Sequence, residues 1–163
     1  MRTIEEKLFA VLRVAFGCAW AVDAYFKWQP AFIDNFTSYL TGAAQGQPAL
    51  IQAWINLWIR GVGVDPHLFA FIVALSETAI AIGLIFGLFT RTALIGGMAM
   101  SLVIWSTAEG FGGPYVSGST DIGSAIIYFL LLSALLIGKS WRHYSLDSIL
   151  HRRLLKVAKK TAA

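Results

Sequence analysis

Four charged residues interrupt stretches that are otherwise apolar, and they are the side chains best placed to do chemistry. Glu77 sits near the middle of 69–89, a run long enough to cross a bilayer. A charge at that depth is costly, so the carboxylate is expected to face protein, water or a counter-ion rather than lipid. There it can take up and release protons. Arg13, Asp23 and Lys27 lie in the first apolar run. Arg13, Gly17, Trp20, Ala24 and Lys27 recur at steps of three and four, which puts them on one helix face with Asp23 beside them. That face should point inward, with Asp23 as a second proton carrier and Arg13 or Lys27 as the holder of an anion or a ligand oxygen.

Each of these residues also has a plainer reading. Arg13 lies roughly 9 Å above the start of its helix and can extend toward Glu77, so the two can simply neutralise one another. Asp23 and Lys27 are spaced i,i+4, which favours an ion pair on the helix surface. Trp20 and Trp105 fit packing or an interfacial belt as well as they fit a ligand wall.

The composition requires elements that belong in a bilayer. Hydrophobic residues make up 57% of the 163-residue chain and charged ones 13%, with a mean hydropathy of +0.66, which indicates an integral membrane protein with a single domain. Four spans are expected, at about 7–28, 68–89, 92–109 and 122–138. Arg13 breaks the first run and no small-residue cleavage site follows it, so that run reads as a retained span rather than a secretory signal. Thr3 and Glu6 have capping-box spacing at its start. Glu77 shares a small-residue stripe with Ala70, Ala74 and Ala81, and Ala93, Gly97 and Ser101 form another that leads to Trp105 and Glu109.

Pro30, Pro48 and Pro66 break the pattern between the first two spans, which reads as an extramembrane connection with short helices. Within it, 48–60 is amphipathic, with Leu50, Ile51, Trp54, Leu57 and Trp58 on one face, as for a helix in the headgroup region or capping the bundle. A Gly-rich connection, 110–121, carries Tyr115 and ends in a cap-like Asp121. Glu109, Tyr115 and Asp121 enter a site only if this connection closes over it. At the C-terminus, 146–160 reads as a basic amphipathic helix on an anionic inner leaflet.

Lys and Arg crowd one side of this topology, where Arg91, Lys139, Arg142 and the C-terminal cations fall, while the other side receives Lys27 and Arg60. Both termini should therefore be cytoplasmic, in a bacterial or archaeal inner membrane. The basic excess is explained by topology, so nucleic-acid binding is not expected. Cys18 is the single cysteine, which excludes an intrachain disulfide or a CxxC pair. His67, His143 and His151 are scattered, and no metal site is expected.

Across roughly 12–146 the chain resembles the DoxX/DoxD-like membrane proteins. The resemblance rests on Leu12-Arg13 with Gly17 and Lys27, then Glu77 with Gly83, Gly87, Thr90 and Arg91. Glu109 to Tyr115 and Gly118 to Gly123 complete it. It implies a four-helix membrane fold and, from the small membrane subunit of thiosulfate:quinone oxidoreductase, a quinone as the ligand to try first. Trp20 and Trp105 would then stack on its head group, with Glu77 and Asp23 handling protons. The expected function is a membrane oxidoreductase subunit passing electrons from a small sulfur donor to quinone. The alternatives are a non-enzymatic anchor or assembly subunit for a partner enzyme and, less favoured, a small transporter. Expected partners are the bilayer and a second protein subunit, with self-association left open.

Overall fold

The computed structural model describes residues 2–116, 121–150 and 152–153, and among them all regular structure is helical. α1 (Arg2–Lys27) carries Glu5 in its first turn and Lys27 in its last, both favourable to the helix dipole. The helix is already running at Thr3, and Glu6 binds Arg142 and His143 across the chain, so the predicted capping box does not set the start. Three short helices follow: α2 (Pro30–Asp34), α3 (Phe36–Ala44) and α4 (Ala49–Val62). α5 (Pro66–Phe86) starts with Pro66 in its first turn and with the Asp65 carboxylate accepting from the Leu68 amide at 3.0 Å. It stops at Gly87, whose φ of 64° lies in the left-handed region and whose missing side chain leaves room for Ser145.

α6 (Thr90–Ser106) begins under the Asp147 carboxylate, which accepts from the amides of Phe89 at 2.9 Å and Thr90 at 2.8 Å. It ends three residues before the expected boundary, ahead of a 3₁₀ turn, Gly110–Gly112. α7 (Ser124–Ile137) and a second 3₁₀ turn, Ser140–Arg142, lead to a helical segment at 146–150. Most of the basic helix expected over 146–160 lies outside the described residues.

The cap of α7 corrects the sequence reading. Asp121 is exposed, and it is Glu109 that accepts from Ser124 N at 3.2 Å, Ser124 Oγ at 2.7 Å and Ala125 N at 3.1 Å. Gly123, at a φ of 96°, turns the chain so that the first amides of α7 meet that carboxylate. Glu109→Ala is expected to lower stability by about 1–2 kcal/mol in thermal unfolding. Asp121→Ala should change it little.

α1 packs along α5, α5 on α6, α6 on α7 and α7 back on α1. At Gly17 an added Cβ would lie 2.9 Å from both the Ile85 amide nitrogen and Leu84 Cβ, so glycine is what allows α1 and α5 to come this close. Phe16, Trp20, Ile80, Leu84, Leu94, Leu132 and Leu135 form the core between these helices. A second core joins α2–α4 to the N-terminal end of α5 through Phe32, Phe36, Leu40, Ile55, Val62 and Ala70. The connection between α1 and α5 is therefore a packed cap.

α4 differs in detail from its predicted face. It buries Ile55 and Val62 and leaves Leu50, Trp54 and Leu57 exposed, because its apolar surface is wider than one packing contact covers. Large apolar side chains also point outward on the long helices, among them Val22, Leu75, Ile95 and Leu130. α1 over Ile4–Lys27 and α5 are long and apolar enough to cross a membrane, and α7 is a shorter apolar helix.

Candidate functional site

The inward face of α1 is as the spacing predicts: Arg13, Trp20 and Ala24 are buried and Lys27 is half-buried. The partners of its charges are not. Arg13 makes no pair with Glu77. Its Nε donates to Leu84 O at 2.9 Å, Nη1 to Ser140 O at 2.9 Å and Nη2 to Tyr144 O at 2.6 Å. These carbonyls lie in the last turn of α5 and beyond the end of α7, where intrahelical donors run out, and a guanidinium can serve all of them at once.

Lys27 is the cation that meets Glu77, with Nζ 3.9 Å from Oε1. That separation is within ion-pair range but too long for a direct hydrogen bond. The two side chains come together because α1 and α5 run antiparallel, and Trp28 fixes the register by donating to Thr78 Oγ1 at 2.9 Å. Glu77 is 2% exposed, and its Oε2 has no hydrogen-bond partner among the described residues. Asp23 does not pair with Lys27 as its spacing suggested; it accepts from the Tyr128 hydroxyl at 2.9 Å, and both Asp23 and Lys27 act electrostatically on Glu77. Tyr128 also packs edge-on against Phe16 at 5.0 Å and obliquely against Trp20 at 5.5 Å.

Lys27 also reaches the wall of a cavity of about 390 Å³ between α1, the α2–α4 cap, α5 and α6. The walls are mainly aromatic and aliphatic, with Phe32, Phe36, Tyr39, Trp58, Phe69 and Met100 prominent, and Lys27 is the charged residue in them. Its ammonium lies 5.0 Å from the centre of the Phe32 ring. An apolar chamber with a few polar groups fixing orientation, here Lys27, Gln29 and Thr107, is the usual form of a small-molecule site.

The structure thus brings Asp23, Lys27 and Glu77 together, adds Tyr128 and places an apolar cavity beside them. Trp20 belongs to the core beneath this network, with its Nε1 unpartnered among the described residues. Trp105 donates to Ile122 O at 2.8 Å and stacks edge-on with Phe111, and the exposed Tyr115 donates to Phe111 O at 2.6 Å. With Glu109 they order the Gly-rich connection; they do not line the cavity, nor does Asp121. Tyr128 and the cavity residues of the cap carry no polar pattern in the sequence, and only the packing of α2–α4 onto α5 and α6 reveals them.

Two apolar helices of span length, with large apolar side chains facing outward, are what a membrane protein by class presents. The DoxX family model matches residues 8–110, nearly two thirds of the chain, and the protein belongs to that family, which supports that class. No curated protein and no solved structure matches it.

Proposed function

We propose that this DoxX-family protein is the quinone-binding membrane subunit of an oxidoreductase system, with the quinone head in the cavity at Lys27. The observation that carries this reading is that one cation faces both the aromatic cavity and the buried Glu77 carboxylate. The cavity volume suits a one-ring head group, with a tail leaving between helices toward lipid. A bound quinone supplies a two-electron acceptor that also needs protons. Lys27 Nζ would donate a hydrogen bond to a ring oxygen, and Glu77, with Asp23 and Tyr128 behind it, would hold protons at the same end. With Cys18 as the single cysteine, electrons would come from a partner subunit that oxidises a small sulfur donor.

In this reading α1, α5, α6 and α7 are four spans of one bundle in a cytoplasmic membrane, with both termini inside. Two features support it: outward apolar side chains on all four helices, and the crowding of Lys and Arg at one end. A non-enzymatic anchor for a partner enzyme is the second reading, favoured by the engagement of Arg13 with backbone carbonyls alone.

Trp58 in the cavity wall supplies the test. A short-chain quinone titrated into the purified protein should quench tryptophan fluorescence saturably. The saturable part contributed by Trp58 should vanish in Trp58→Phe. Quenching that never saturates, or that is identical in the variant, would refute quinone binding in this cavity and favour the anchor.

A further inference from the structure

We propose a second site, a phosphate-recognising groove that holds the headgroup of an anionic glycerophospholipid at the opposite end of α1 and α5. A groove of about 840 Å³ lies there, bounded by the start of α1, the α5–α6 link and the segment after α7. Arg91, Arg142 and Arg152 supply its positive charge, and His143 lines it beside them.

Both carboxylates in the groove are already engaged. Asp147 accepts from the Phe89 and Thr90 amides, and Glu6 takes Arg142 at 2.6 Å and His143 at 3.1 Å. Among the described residues, neither Arg91 nor Arg152 has a carboxylate within ion-pair distance. Arg91 is held in place all the same, with its guanidinium carbon 4.4 Å from the centre of the Trp141 ring. Stacking leaves the edge of the planar fork free, which is the edge that grips phosphate oxygens in pairs.

The location favours lipid over free phosphate. Glu6 lies near the N-terminal end of α1 and Phe89 just past the C-terminal end of α5, so the groove sits where two span-length helices leave the membrane on the same side. Phe86 and Phe89 are exposed beside it, 56% and 73%, and offer apolar surface to acyl chains below a bound headgroup.

The test is native mass spectrometry of the purified protein with phosphatidylglycerol, phosphatidylcholine or inorganic phosphate. Selective, saturable retention of phosphatidylglycerol is expected. Arg91→Gln with Arg152→Gln should weaken it by about thirtyfold, the worth of two basic contacts. Arg153→Gln, an exposed change outside the groove, should leave it unaltered. Thr92→Glu provides a second variant: a carboxylate in the first turn of α6 favours the helix and so preserves the fold, yet it places negative charge in the groove and should also expel the lipid. Equal retention of phosphatidylcholine, equal competition by inorganic phosphate, or full phosphatidylglycerol retention in a folded Thr92→Glu protein would each overturn the proposal.

Discussion

Arg13→Leu is expected to leave little folded protein, at a loss of about 4 kcal/mol, because one side chain satisfies three buried or half-buried carbonyls. Arg13 is completely buried, and its bonds tie the end of α5 to the segment after α7. Leucine would fill part of the volume and leave the buried Leu84 and Ser140 carbonyls without their donor. Arg13→Lys should fall between, since an ammonium lacks the fork that reaches in three directions. The pairing with Glu77 that the sequence suggested would make Glu77→Gln relieve the loss. The observed geometry demands independent losses, because Arg13 and Glu77 share no partner. Thermal unfolding of the wild type, both single variants and the double variant in one detergent distinguishes these outcomes. Rescue by Glu77→Gln would show that the two charges are coupled after all.

The sequence was most informative where a periodicity met a membrane constraint. Glu77, Ala70, Ala74 and Ala81 are all buried, as their spacing requires, and the predicted inward face of α1 is the one that packs on α5. Element boundaries moved where capping came from far along the chain. Asp147 starts α6 and Glu109 starts α7, and spacing cannot disclose a cap some sixty residues away such as Asp147.

The charge partners were not legible for a related reason. Spacing along α1 made Lys27 the natural partner of Asp23, but Tyr128 and Glu77 on other helices take these two side chains. Reach made Glu77 the natural partner of Arg13, a choice that assumes a relative sliding of α1 and α5 that the sequence does not specify. The close contact at Gly17 and the Trp28–Thr78 hydrogen bond set that register, and it brings Lys27 to Glu77. The cavity is hidden further still. Phe32, Phe36, Tyr39 and Trp58 read as ordinary apolar residues of short helices until the cap folds over α5 and α6.

Lys27→Met should separate ligand binding from structure at the proposed quinone site. Methionine keeps much of the lysine stem's volume and strips the cavity wall of its charge, so quinone affinity should fall by about tenfold to a hundredfold, the worth of a hydrogen bond from a charged donor. The same change leaves Glu77 buried without its cation, which should lower thermal stability as well. Glu77→Gln added to Lys27→Met removes that stranded carboxylate and should recover most of the lost stability. It cannot restore a donor to the ring oxygen, so affinity in the double variant should stay low while the melting temperature returns. Glu77→Gln alone should keep quinone binding, since Lys27 remains, and should slow quinone reduction by the assembled complex if Glu77 supplies protons. Recovery of affinity together with stability in the double variant would mean that Lys27 only supports the fold, and the ligand would then have to be sought away from this end of the cavity.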